Sequence, residues 1–123
     1  MGVNMTASEY NYLKALRELS RKEDEVRLKS LANLTGISKA SVYNGLNRLI
    51  NKGLCERSQT DASYKITKLG LNTINEYEGY VDIIESWLVN KLDLNSKDAK
   101  KDSINIACNI SNSGLEALIK NIN

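Results

Sequence analysis

Few side chains in this sequence have the type and the neighbours that covalent chemistry needs. Histidine is absent, and with it the commonest general base and the commonest activator of a nucleophilic Ser or Cys. No glycine-rich phosphate loop is present. The two cysteines, Cys55 and Cys108, are too few and too isolated for a disulfide framework or a four-ligand zinc site, and they fit a reduced, cytoplasmic protein. Cys108 closes a predicted helix among Ile106, Ala107 and Ile110. The helix dipole disfavours a thiolate there, so the residue reads as a small buried hydrophobe and not as a redox switch. Glu78, Asp82 and Glu85 recur at helical spacing and could hold a hard cation weakly, but a solvated acidic helix face is the plainer reading. The expectation is a protein that is not an enzyme and carries no cofactor.

The stretch that organises the chain runs from Val26 to Leu54. Leu28, Leu31 and Leu34 recur at helical spacing, and Ala32 is small enough to let a second helix approach. Gly36 follows, where the chain needs a left-handed residue to leave the helix, and Ser38 can cap the next one. The inward face of that second helix is Val42, Leu46, Leu49 and Ile50. Counted from Leu28, the small residue, the turn glycine and Val42 fall four, eight and fourteen places on. This is helix-turn-helix spacing, because a short turn holds two helices at a steep angle around one apolar contact. The competing reading is a hydrophobic helix pair with no DNA role.

With 123 residues the chain is long enough for one domain, or for a small domain with a helical extension. No apolar run approaches a membrane span, and no leader of signal-peptide type is visible. The first residues fit a loose myristoylation pattern, for which a start-codon or cloning remnant before Met5 is the simpler explanation. Net charge is +2, but it is unevenly spread. Residues 1–70 carry 12 Lys/Arg against 7 Asp/Glu, and residues 71–123 carry 5 against 8. A basic first half and an acidic second half suit a nucleic-acid-binding part joined to a part with another job.

In chain order, Thr6 and Glu9 read as a capping box for a first helix ending near Ser20, with Tyr12, Leu13, Leu16 and Leu19 inward. After Gly53 the period changes. Residues 54–58 and 63–67 are predicted strands around a turn at 59–62, which makes a small wing. Its tip carries Asp61 and no cation. Arg57 and Lys65 lie only on the flanks, so a weak phosphate contact is expected. Thr67 caps a long helix to about Leu92, whose apolar stripe includes Ile74, Tyr77, Val81, Ile84 and Leu88, widened by Tyr80, Ile83 and Trp87. At 1.5 Å per residue such a helix is about 37 Å long, more than so small a domain covers by itself, so the excess apolar surface points to a partner chain. Ser96 is expected to cap a helix to about Cys108. Ser111 is expected to cap the last helix, which presents Leu115, Leu118, Ile119 and Ile122. The fold class is therefore mostly α: a winged helix-turn-helix over residues 1–70, then a helical dimerisation domain over 71–123, linked by the helix from about 68 to 92.

This arrangement resembles the diphtheria-toxin-repressor family of metal-dependent regulators, in its short form. The resemblance rests on Glu9-Tyr10-Asn11-Tyr12-Leu13, Ile66-Thr67-Lys68-Leu69-Gly70, Ile84-Glu85-Ser86-Trp87-Leu88, and Ile110-Ser111-Asn112 through Leu115 and Leu118. It implies a homodimer formed by the last three helices, with Ile84, Trp87, Leu88, Leu115, Leu118 and Ile119 at the interface, bound to a palindromic double-stranded DNA operator. It also implies a recognition helix presenting Ser38, Lys39, Ala40, Ser41, Tyr43 and Asn44, with Asn47 and Arg48 behind. Ser and Lys suit phosphates, Asn can bond adenine bidentately, and Arg can take guanine or a phosphate. The family's metal ligands are largely replaced. The matching positions hold Asn11, Lys14, Val81, Glu85, Lys100, Ile104, Ala107 and Cys108. One carboxylate and one thiol do not make a transition-metal site, so no metal is expected. In the same geometry Lys100 would lie opposite Glu85 as a built-in cation.

The function expected is a sequence-specific, homodimeric transcriptional regulator, a repressor acting without a metal co-repressor. One alternative is a winged-helix interaction protein that binds another regulator. The other is a small-ligand-responsive repressor of the multiple-antibiotic-resistance type, which would place its dimer helices at both ends of the chain.

Overall fold

The computed structural model describes residues 3–122. Met1 and Gly2, which carry the loose lipidation pattern, lie outside the described residues. The element order is α1 (Ala7–Ser20), α2 (Leu28–Thr35), α3 (Lys39–Asn51), β1 (Cys55–Arg57), β2 (Tyr64–Ile66), α4 (Lys68–Leu92), α5 (Ser96–Asn109) and α6 (Asn112–Ile122). The chain divides into two compact units. One is Ser8–Ile74; the other joins the residues up to Ala7 with those from Asn75 onward. The fold is thus mostly α, a winged helix-turn-helix and a helical part, as the sequence predicts.

In the Ser8–Ile74 unit, Leu13, Leu16, Leu31, Val42, Leu46, Leu49 and Leu54 are fully buried. All but Leu54, at the entry to the wing, are apolar positions that recur at helical spacing. Gly36 takes the left-handed conformation (φ 71°) that ends α2, and its amide donates to Ala32 O. Ser38 Oγ accepts from Ser41 N at 3.2 Å and starts α3. At the far end of α3, Gly53 N bonds Ile50 O and Leu54 N bonds Leu49 O, both at 2.9 Å, which closes the helix and aims the chain into the wing. The wing is antiparallel, with Cys55 opposite Ile66, Glu56 opposite Lys65 and Arg57 opposite Tyr64. Thr67 Oγ1 donates to Gly53 O at 2.7 Å and accepts from Gly70 N at 2.9 Å, so the expected cap also pins the start of α4 to the end of α3.

Four details differ from the sequence reading or add to it. A close approach of α1 and α3 is made at Gly45, where an added Cβ would run into the Tyr12 ring. Leu34, in phase with the buried Leu31, is 49% exposed, because it lies on the last turn of a helix of only eight residues. Leu19 is half-buried. Val26, the first residue of the organising stretch, bridges to the wing, with Tyr64 N donating to Val26 O at 2.7 Å.

In the other unit the stripe on α4 is buried at Tyr77, Val81, Ile84 and Leu88, with Ala99, Ala107 and Leu115 from α5 and α6. Tyr77 OH donates to Val3 O at 3.2 Å and ties the first residues to α4. Asn95, not Ser96, caps α5, its Oδ1 accepting from Asp98 N at 2.9 Å. Ser111 does cap α6, through Gly114 N at 3.0 Å. Among the described residues no helix is long and apolar enough to cross a membrane.

Candidate nucleic-acid interface

One side of α3 is sealed and the other is open. Val42, Leu46 and Leu49 are buried, and Gly45 backs onto Tyr12. Ser38, Lys39, Ala40, Ser41, Tyr43, Asn44 and Arg48 are exposed, and Asn47 is half-buried. Ser41, Asn44 and Arg48 follow one another at helical spacing and share a face, with Lys39 and Tyr43 beside it. Ser38 Oγ, besides capping, donates to Ser41 Oγ at 3.0 Å, so the two hydroxyls at the start of α3 are held together. Of the polar set expected of a recognition helix, all but Asn47 are therefore exposed.

Arg48 has a second allegiance that its sequence neighbours do not announce. Its Nε donates to Glu9 Oε2 at 3.0 Å, and Lys52 Nζ reaches Glu9 Oε1 at 2.5 Å. Glu9 is 1% exposed, while Arg48 stays half exposed. A carboxylate expected to serve the first turn of α1 ties α1 to α3. The one available cue was that Arg48 and Lys52 are four residues apart and so can share an anion.

The wing tip is acidic. Asp61 Oδ1 accepts from Ser63 N at 3.0 Å and Ser63 Oγ at 2.7 Å. Those hydrogen bonds from Ser63, with a further one from Ser58, hold its carboxyl well below the usual carboxylate range. Arg57 lies over the Tyr64 ring, 5.9 Å from its centroid, and Lys65 is exposed. Arg57 stands on the strand pair next to the tip, and Lys65 one pair further in. Arg27, Lys29, Arg57, Tyr43 and Tyr64 line a cleft of about 280 Å³ between the wing, the start of α2 and α3. Arg27 donates to Glu25 Oε2 at 2.8 Å. Arg27 and Lys29 were not singled out from the sequence, since each reads there as one more solvated charge. The Cys55 thiol, behind the wing, is pushed up to about 12 by burial and by Glu56, which makes it inert.

In the helical unit the positions matching the family's metal ligands do not form a donor set. Val81 and Ala107 are buried, and Ile104 and Cys108 are half-buried. Glu85 Oε1 is met by Lys100 Nζ at 2.9 Å, and Asp82 Oδ1 lies 3.9 Å from the same nitrogen. The ion pair expected of Lys100 and Glu85 is therefore present. An ammonium beside the retained carboxylate repels a second cation, and among the described residues no group of three or more His, Cys, Asp or Glu could hold a metal ion. In the other unit, Asn11 is exposed and Lys14 half-buried.

The interface residues expected for a dimer divide into two sets. Ile84, Leu88 and Leu115 are already enclosed by the chain's own helices, because the stripe on α4 is wide enough for its inner side to be used within one chain. Trp87, Leu118 and Ile119 are half-buried. Trp87 also lines an open groove of about 450 Å³ with Asp82, Ile83, Ser86, Asn90, Lys91 and Ile122.

A family model described as the IclR helix-turn-helix domain matches residues 11–59. Among solved structures, the hypothetical protein SSo2273 from Sulfolobus solfataricus is similar, with a TM-score of 0.76 and 21% identity over 96% of this chain and 89% of its own. The manganese regulator SloR has a TM-score of 0.76 at 23% identity, over 99% of this chain and 54% of its own. The metal-dependent transcriptional regulator MtsR has a TM-score of 0.75 at 19% identity, over 96% and 54%. The chain spans about half the length of these two regulators. No curated protein matches it by sequence. At these identities the likeness is one of fold, and it supports the resemblance to the diphtheria-toxin-repressor family.

Proposed function

We propose that this chain is a homodimeric transcriptional regulator, a repressor, that binds double-stranded DNA through α3 and acts without a metal co-repressor. The observation that carries the reading is the open face of α3. Ser41, Asn44 and Arg48 lie in line behind a capped helix start, with Lys39 beside them, on a helix whose other side is sealed by Val42, Leu46 and Leu49. Such a helix N-terminus enters a major groove, where Asn reads adenine and the cations take phosphates. The helix-turn-helix match over residues 11–59 and the solved regulators of the same fold support this assignment.

A second copy of the chain is the partner proposed for the helical unit. Trp87, Ile83 and Ile122 leave an apolar groove on α4 and α6, and Trp is a strong anchor when a partner covers it. Trp87, Leu118 and Ile119 remain the candidates from the sequence reading, with Ile83 and Ile122 added to them. Two-fold symmetry then calls for a palindromic site. The Lys100–Glu85 pair supports metal independence, since a ligand shifts a conformational equilibrium only through differential affinity and an ammonium beside the carboxylate competes with a metal for it.

One observation favours the interaction-protein reading. Asp61 stays ionised at the wing tip, where a phosphate backbone would repel it. Selection from a random duplex pool, with and without chelator and over a range of salt, separates the two. The regulator reading expects a palindrome, a steep fall in affinity with salt, and no effect of chelator. Salt-insensitive or absent binding would sink it in favour of the interaction protein.

A further inference from the structure

Glu9 is a fully buried carboxylate on α1, and the regulator reading gives it no part. It holds two cations of α3, Arg48 and Lys52, one helical turn apart. Arg48 engages it through Nε alone, and its two terminal nitrogens take no partner among the described residues. A guanidinium is planar, so fixing Nε fixes the plane in which the terminal donors point. Those donors belong to a side chain that is half exposed and in line with Ser41 and Asn44 on the open face of α3. A free arginine must give up rotamer freedom when it seizes an anion, whereas one already held from behind loses less.

We propose that Glu9 is a positioning residue for the DNA-reading surface: it holds Arg48 by its Nε so that the terminal nitrogens are presented, pre-oriented, to a backbone phosphate. The inference rests on the DNA-binding reading above. Lys52, at the C-cap of α3, supplies the second half of the clamp and keeps the carboxylate compensated whether or not DNA is bound.

The sign of one substitution separates this role from simple charge. Glu9→Gln raises the formal charge of +2 by one, which through long-range attraction alone would tighten DNA binding. The positioning role requires the opposite. The measurement is fluorescence anisotropy of a labelled mixed-sequence duplex, titrated at several salt concentrations with full-length protein whose fold is checked by circular dichroism. Glu9→Gln should weaken binding about tenfold and lower the slope of log affinity against log salt by about one, as Arg48→Ala does. In an Arg48→Ala background Glu9→Gln should add nothing, whereas two independent structural losses would add. Should Glu9→Gln not fold, Arg48→Lys carries the test. It keeps the charge and loses the fork, and should bind about as weakly as Arg48→Ala. Glu9→Gln binding as tightly as wild type or more tightly, or Arg48→Lys binding like wild type, would overturn the proposal while leaving the DNA reading intact. A wild-type protein that binds no duplex overturns both, and is told apart because the variants then have nothing to lose.

Discussion

Among the described residues each unit holds a cluster of opposite charges, and the two clusters are built oppositely. In the Ser8–Ile74 unit the carboxylate of Glu9 is buried (1% exposed) between the half-exposed Arg48 and the less exposed Lys52. In the other unit the cation, Lys100, is 43% exposed between Glu85 at 23% and Asp82 at 63%. Each cluster has one pairing near 3 Å, Arg48–Glu9 at 3.0 Å and Lys100–Glu85 at 2.9 Å, yet the energetics differ. A buried charge loses most of its hydration, so its partners must make up the difference, and removing them leaves a large penalty. An exposed cluster keeps its water, and its members can part at little cost. Similar ion-pair lengths therefore describe a structural clamp in one unit and a surface arrangement in the other. Burial, not distance, separates them.

The largest effect should come from stripping the buried carboxylate of both cations. Arg48→Ala/Lys52→Ala should lose about 3–5 kcal/mol of stability in urea unfolding. Adding Glu9→Leu to that double variant should recover most of the loss, because leucine removes the charge that the cations served. If the double variant is as stable as wild type, Glu9 is hydrated in solution and the contrast between the clusters collapses. Next comes the packing that brings α1 against α3. Gly45→Ala drives a methyl into the Tyr12 ring, an overpacking that should cost about 1–3 kcal/mol. Tyr12→Leu should relieve much of that cost when combined with it.

These two predictions turn on features that the sequence keeps hidden, and the reason is sequence distance. The helix-turn-helix could be read because its signals are local: Leu28, Leu31, Gly36, Ser38 and Val42 stand in fixed spacing, and each has a backbone job. The wing could be read from the change of period after Gly53, and the start of α4 from Thr67. Glu9 finds its cations 39 and 43 residues away, and nothing near Glu9 hints at them. Tyr12 finds Gly45 across a similar gap, so the close approach of α1 and α3 has no local signal. Val26 bridges to Tyr64, 38 positions on, and nothing beside it in the sequence points there. Periodicity also fails to say which neighbour covers a stripe. Leu34 keeps the phase of Leu31 but is exposed, and Ile84, Leu88 and Leu115 are used up inside the chain.

On the open face of α3 the expected losses are in affinity and not in stability. Asn44→Ala should cost about 1–3 kcal/mol on the selected operator and relax the preference at one base position. Lys39→Ala should weaken all duplexes alike, as loss of a phosphate contact does. Equal, sequence-independent losses for both would remove the base-reading role of Asn44 and leave α3 as a phosphate-tracking surface. Neither change should move the unfolding midpoint by much, because both side chains are exposed.

The smallest effect belongs to the exposed cluster, and there the sign of charge is more informative than the size. Lys100→Ala removes the one cation between Asp82 and Glu85 and should cost about 0–1 kcal/mol in unfolding, since all three side chains keep contact with water. Val81 and Ala107 are buried, so truncating Val81 should cost more than losing the exposed ion pair. Manganese, iron, zinc or a chelator at micromolar concentration should leave the duplex affinity of the wild type within a factor of ten, about 1.4 kcal/mol. A larger shift would mean that a cation competes successfully with Lys100, and the metal-blind reading would fall. Lys100→Glu sharpens the same point from the other side. It takes away the built-in cation and adds a third carboxylate beside Glu85 and Asp82, an all-oxygen set that suits a hard divalent ion. That variant should be destabilised without metal by repulsion among like charges, and its thermal midpoint should rise when manganese is added, while the wild-type midpoint stays where it was. If manganese moves both proteins equally, the ion binds elsewhere and Lys100 is not what excludes it. If it moves neither, the three side chains do not converge in solution, and the exclusion of metal rests on Val81, Ile104 and Ala107 alone.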